Sequence, residues 1–116
     1  MEIKPEMMKL CYAIGQAIYP ERTKIDECAE FVSKITGMSG GSASDYIKDF
    51  FFMREGKKIS RCMKEDDAKY YFEKIFCDYG KDGLKNALSA FEKYLADTEQ
   101  NHPGLEKLIE AFKKKL

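Results

Sequence analysis

Apolar residues in this chain of 116 residues recur three and four positions apart, in runs that end at glycine or proline. This spacing places the apolar side chains of a run on one face of an α-helix, whereas a half-buried strand would need strict alternation. Glycine readily ends a helix, and proline cannot continue one. We therefore predict an all-α protein, a compact bundle of about six amphipathic helices.

The punctuation of the runs predicts how the helices are organised. The second helix begins near Thr23, because Asp26 three positions later forms a pattern like a capping box. The length of the whole chain predicts that residues 1–116 form a single all-α domain. Within it we expect a helix-turn-helix-like core at about 23–56, a helical hairpin at about 64–98 divided by Gly80, and a C-terminal helix at about 103–116.

The turn between the second and third helices is rich in glycine and serine. Gly37 ends the second helix, and we expect it to adopt the left-handed conformation. The segment 39–42, Ser-Gly-Gly-Ser, supplies a tight turn and a capping hydroxyl for the third helix. That helix carries three successive aromatic residues, which cover too much of its circumference to face one core. Either the third helix is central and buried on most of its sides, or one of the rings is exposed and serves an interface, and the pattern leaves open which of Phe50, Phe51 and Phe52 that ring would be.

Charge is balanced overall but uneven locally. Twenty basic residues match twenty acidic ones, which excludes a DNA binder whose whole surface is basic. Positions 54–64 nevertheless hold five basic residues and one acidic residue. We expect the basic side chains there to contact phosphates and the solvent face of the third helix to read bases, although Asp45 and Asp49 on that face repel phosphate. The predicted DNA-binding residues are Ser42, Ser44, Lys48, Arg54, Lys57, Lys58 and Arg61.

Cysteine and histidine usage bears on metal sites and catalysis. The four cysteines, Cys11, Cys28, Cys62 and Cys77, form no C-x-x-C pair, and His102 is the one histidine. We therefore predict no metal site, no cofactor and no catalytic triad. Since three of the thiols lie in or beside apolar stripes, we expect buried, structural cysteines in a reducing cytoplasm, with Cys28 and Cys77 slow to react. A disulfide framework is the alternative.

Membrane association is not expected either. No apolar run approaches the ~20 residues that a membrane-spanning helix needs, and the first ten residues lack the apolar core of a signal peptide. The sequence thus predicts a cytoplasmic protein.

Beyond these patterns, one set of residues spread over positions 8 to 96 carries a resemblance to a known family. The residues are Gly37-Met38, Gly41-Ser42-Ala43, Asp45-Tyr46-Ile47, Phe50, Met53, Gly56, Arg61, Met63, Ala68, Tyr70-Tyr71-Phe72, Asp78-Tyr79-Gly80, Gly83-Leu84 and Asn86-Ala87-Leu88. With these residues the segment resembles the N-terminal helical domain of bacterial HNH-type restriction endonucleases, including those specific for modified cytosine. Cys62 and Lys64 replace a threonine and an asparagine, so the resemblance does not extend to a polar cap on the next helix.

The resemblance implies a DNA-targeting module that works with an HNH nuclease domain in the same or a neighbouring chain. Such a nuclease domain needs several histidines around a metal, so this chain is expected to be non-catalytic.

Two functions of different classes remain open from the sequence. The first is recognition of double-stranded DNA by the second and third helices and the basic segment after them. The second is a protein-interaction or dimerisation module, a homodimer among its forms, that presents Phe51 or Phe52 and the last helix to a partner.

Overall fold

Five α-helices and one short 3-10 turn form the regular structure of residues 2–116, the part of the chain that the computed structural model describes. The all-α prediction is confirmed, since these residues include no strand. Nor do they include a helix long and apolar enough to cross a bilayer. The chain divides into two compact units, Met1–Phe51 and Phe52–Leu116, and the division falls within α3. The helices are α1 Pro5–Ile18, α2 Ile25–Thr36, α3 Gly40–Glu55, α4 Glu65–Asp97 and α5 Pro103–Lys113, with the 3-10 turn at Arg22–Lys24.

The core of the first unit is built around aromatic rings. The ring of Phe50 packs edge-on against Tyr12, with 5.0 Å between centroids, and Phe51 packs in the same way against Tyr19 at 4.9 Å. A methyl group at Gly15 would lie 2.9 Å from the Phe50 ring, so α1 needs a glycine at this contact. Both phenylalanines are buried and Phe52 is half-buried. The expectation that Phe51 is presented to a partner is therefore wrong.

The connection from α2 to α3 has the predicted geometry at two positions. Gly37 has φ 80° and ψ 2°, the left-handed conformation that ends α2, and this prediction is confirmed. The Ser39 hydroxyl accepts a hydrogen bond from the Ser42 backbone N–H at 3.1 Å and so serves the first turn of α3. The predicted cap at Thr23 is wrong, because this residue belongs to the 3-10 turn and α2 begins only at Ile25.

The segment predicted as two helices at about 64–98 is α4, Glu65–Asp97, which has 33 residues and whose backbone leaves helical geometry at Gly80, with φ 72° and ψ −162°. The rings of Phe72 and Phe91 are nevertheless 4.9 Å apart. In a straight helix these positions would be separated by about 28 Å. The chain therefore reverses at Gly80, and no loop intervenes between the two halves of α4. This continuity explains why five helices are found where six are predicted.

The last helix packs on α4. Its Phe112 ring lies 5.4 Å from Phe72, and the Lys113 ammonium is 2.7 Å from a carboxylate oxygen of Glu92. At the other end of α5, a Cβ at Gly104 would meet the Glu65 carboxylate, but this is the end of a flexible, exposed side chain that can move aside. A ring contact and an ion pair thus hold the C-terminal end of α5 on α4 within the second unit.

The cysteines differ from the sequence-based expectation. All four are free thiols, but only Cys11 is buried, whereas Cys28 is half-buried and Cys77 is exposed. The expected burial of Cys77 is therefore wrong, which removes the reason for its predicted slow reaction, and Cys28 is buried only in part. Cys77 lies about 200° around α4 from Ile75 and so leaves the apolar stripe. At Cys11, burial raises the pKa of the thiol from 9.0 to about 12.

Candidate nucleic-acid interface

The connection between α3 and α4, residues 56–64, is the basic loop. It begins with Gly56, whose φ of 68° turns the chain out of α3. Ile59 and Met63 are each 1% exposed, and the Ile59 N–H donates a hydrogen bond to the carbonyl oxygen of Ala90. Lys57 and Lys58, which lie between Gly56 and the first of these buried residues, are exposed. Two buried apolar side chains thus fix the loop on α4 and leave its lysines in solvent.

Two of the three lysines of the basic loop have an acidic neighbour. The Lys58 ammonium lies 2.9 Å from Asp97 on α4, and the Lys57 ammonium lies 3.9 Å from Glu55 at the end of α3. The Lys58 and Asp97 side chains are 52% and 66% exposed, so water screens their attraction and the pair contributes little to stability. A phosphate group can replace the carboxylate as the partner of Lys58 at small cost.

The two arginines are less accessible than the lysines. The Arg54 guanidinium lies over the ring of Tyr79 at 3.6 Å from its centroid, a cation–π contact that holds it against α4. The Asn86 side-chain amide donates to the Arg54 carbonyl oxygen at 3.3 Å. Arg61 is half-buried within the basic loop. The structure thus places four of the five predicted basic residues, all except Lys48, in the second unit, with Lys57 and Lys58 as the exposed ones.

The fold also brings to the basic loop residues that sequence reasoning missed. Lys93 of α4 donates from its ammonium group to the Gly56 carbonyl oxygen, and Asp97 of α4 lies beside Lys58, so α4 adds one basic and one acidic residue to the surroundings of the loop. Nothing in the local sequence signals Lys93, because its proximity depends on the reversal at Gly80. Next to the loop is a shallow pocket of 360 Å³, lined by Lys58, Ile59, Ser60, Tyr94, Asp97 and Thr98.

The residues predicted to read bases belong to α3 in the first unit. Ser42, Ser44 and Lys48 are all half-buried. Ser44 and Lys48 are four positions apart and share a helix face, but Ser42 lies about 200° around the helix from Ser44, so the three do not line one edge. Asp49 is 0% exposed, and its predicted place on the solvent face is wrong. It therefore presents no surface charge against phosphate.

A second surface feature is apolar and lies on α2. Phe31 is 53% exposed and Ile35 is 64% exposed. Ile35 follows Val32 at helical spacing, but the buried stripe of α2 consists of Ile25, Ala29 and Val32 and does not extend to Ile35. Phe31 was missed. Its signal was an aromatic residue standing outside the apolar periodicity of its own helix.

Groups for metal-dependent chemistry are not clustered in the described residues. No three or more histidine, cysteine, aspartate or glutamate side chains between positions 2 and 116 are arranged to hold a metal ion. Comparison of the chain with protein-family models, with curated proteins and with solved structures finds no match.

Proposed function

We propose that the chain is a non-catalytic DNA-recognition domain that binds the phosphates of double-stranded DNA through the basic loop. The observation that carries the proposal is the anchored loop, in which buried Ile59 and Met63 hold Lys57 and Lys58 outward. Positions 54–64 hold five basic residues and one acidic residue, a local excess of positive charge on a chain whose net charge is zero. Such a local patch attracts the phosphate backbone without a globally basic surface.

The wider setting of this role is likewise a proposal, and it rests on the resemblance to the N-terminal domains of HNH restriction endonucleases. In it the domain acts in the cytoplasm, within a restriction system, and brings an HNH nuclease domain of the same or a neighbouring chain to DNA. The consecutive helices α2 and α3 act as a helix-turn-helix pair, with Ser44 and Lys48 on the face that reads bases. The left-handed turn at Gly37 is consistent with this use of the pair.

The salt dependence of DNA binding tests the proposal. Each neutralised phosphate changes the slope of log affinity against log salt by about −0.9, so contacts from Lys57, Lys58 and Arg61 give a slope of about −3, and a fourth from Arg54 gives about −4. Fluorescence anisotropy with a duplex oligonucleotide at several salt concentrations measures this slope. Replacing Lys58 and Arg61 together with alanine should flatten it by about 2.

Asp97 provides a test of opposite sign. Because its carboxylate competes for Lys58, Asp97→Asn should strengthen DNA binding and steepen the salt slope by up to about 1. Lys107→Ala on α5 is the matched control, since it removes one exposed positive charge elsewhere and should leave the slope unchanged. The DNA proposal is wrong if the wild-type chain does not bind duplex at low salt, or if Lys107→Ala and the loop variants weaken binding equally.

A protein-interaction or dimerisation module is the second candidate function. The exposed Phe31 and Ile35 side chains on α2 favour it, because scattered single apolar residues are common on surfaces but two large ones on one helix face form a patch. The patch belongs to the first unit, whereas the basic loop belongs to the second.

A further inference from the structure

The exposed face of α2 has an apolar side and a charged side. Phe31 stands at its centre. Ile35 and Cys28 lie about 40° and 60° around the helix on one side of Phe31, and Glu27 and Lys34 lie about 40° and 60° around on the other. Cys28 is half-buried, and Glu27 and Lys34 are exposed. The face is therefore a short apolar stripe with one acidic and one basic residue along its outer border.

We propose that this face binds the same face of a second copy of the chain, with the two α2 helices antiparallel and related by a two-fold axis at Phe31. A two-fold axis perpendicular to the helices brings the apolar side of one copy against the apolar side of the other, and likewise the charged sides. In this register Phe31 meets Phe31 of the second copy. The two rings then cover each other from water.

The same register matches the flanking residues. Glu27 precedes Phe31 by four positions and Lys34 follows it by three, so after the two-fold rotation each Glu27 lies within about 1.5 Å, along the axis, of Lys34 on the second copy. Cys28 precedes Phe31 by three positions and Ile35 follows it by four, so the same rotation brings each Ile35 against Cys28 of the second copy. This one register therefore forms the contact between the two Phe31 rings, two contacts between Ile35 and Cys28, and two ion pairs between Glu27 and Lys34.

A parallel arrangement lacks this complementarity. Rotation about an axis along the helices would place the charged side of one copy opposite the apolar side of the other, leaving Glu27 against Cys28 and Lys34 against Ile35. Burial of a charge against an apolar group without a partner is unfavourable. Within one chain Lys34 already lies 3.4 Å from Glu30, but both side chains are mostly exposed, so this pair opposes dimerisation only weakly.

Sedimentation equilibrium of the wild-type chain without DNA tests the proposal. The weight-average mass should rise from 13.4 kDa towards twice that value as concentration increases from micromolar to near-millimolar, since a single helix pair is smaller than a standard interface. Phe31→Asp should remain monomeric throughout. Leu116→Asp is the matched control, because it places the same charge at another exposed apolar side chain and should associate like the wild type.

A charge exchange separates the proposed register from unspecific association. Glu27→Lys and Lys34→Glu should each weaken dimerisation by about three- to tenfold, because each creates two like-charged pairs across the axis. The double variant Glu27→Lys/Lys34→Glu should recover the wild-type affinity. Glu99→Lys, an exposed charge reversal outside α2, serves as the control and should change nothing.

Three results would overturn the proposal: a monomeric wild-type chain at the highest concentration, a Phe31→Asp variant that associates as the wild type does, or a double charge variant no tighter than the single ones. Circular dichroism of each variant confirms that it is folded, and substitution of these exposed side chains should leave helicity unchanged. The outcome is independent of the DNA proposal, because neither the basic loop nor DNA takes part in the measurement.

Discussion

Replacing Gly37 with alanine should destabilise the chain through the backbone alone. Gly37 has φ 80°, and no atom lies within 4 Å of the position that a Cβ would occupy. The substitution therefore causes no collision, and its cost is that of holding an L-residue in the left-handed region, about 1 kcal/mol. The Gly37 N–H donates to the Ser33 carbonyl oxygen at 2.9 Å, and alanine keeps this bond. For a chain of this size the melting temperature should fall by about 4 °C.

A second glycine in the same turn provides the matched control for this prediction. Gly41 lies in α3 without positive φ, and its Cβ position is also open. Gly41→Ala should stabilise the chain by about 0.5–1 kcal/mol, because alanine loses less backbone entropy on folding. Urea titration followed by circular dichroism measures both variants. If the two alanine variants shift stability in the same direction, backbone conformation does not determine the cost at Gly37.

Two further predictions concern the thiols. With a thiol reagent at neutral pH, Cys77 should react rapidly in the folded chain and Cys11 only after denaturation. Mass spectrometry of the labelled peptides measures this difference. Equal labelling of the two thiols would contradict the burial of Cys11. Because the Cys11 pKa is raised from 9.0 to about 12, the unfolded chain loses this proton first as pH rises through that interval, so the free energy of unfolding should fall between pH 9 and 12. Cys11→Val should show a smaller fall over the same interval, and an identical fall in both proteins would exclude Cys11 as its cause.

Local chemistry was enough to predict those parts of the fold that depend on one residue's backbone. Gly37 takes the left-handed conformation, and Gly80 leaves helical geometry where the apolar periodicity predicted a helix end. Both predictions rest on the same property, since glycine alone adopts positive φ at little cost. The predicted cap at Thr23 is wrong because Thr23 itself lies in a 3-10 turn and therefore does not directly precede α2.

Burial at the edges of stripes could not be predicted in the same way. Ile35 fits a helical period that includes Val32, yet it is 64% exposed. The period shows which residues share a helix face, but it does not show how much of that face the rest of the fold covers. Asp49 is the converse, a charged residue expected in solvent but buried. At the candidate interface the lysines could be recognised in the sequence as a cluster of charge. Asp97 and Lys93 are distant from the basic loop in sequence and come close to it only because α4 reverses at Gly80.

The reversal at Gly80 also restricts the length of the chain. Insertions are usually absorbed by loops, but here the two halves of α4 meet at a single residue and no loop is present to absorb one. One residue added after Gly80 would rotate the following half-helix by about 100°. Leu84, Leu88 and Phe91, all buried, would then turn away from Phe72 and towards solvent. Length variation should therefore be tolerated at the exposed connection 99–101 but not at Gly80. The number of residues on either side of Gly80 thus determines which side chains of the two halves of α4 face each other.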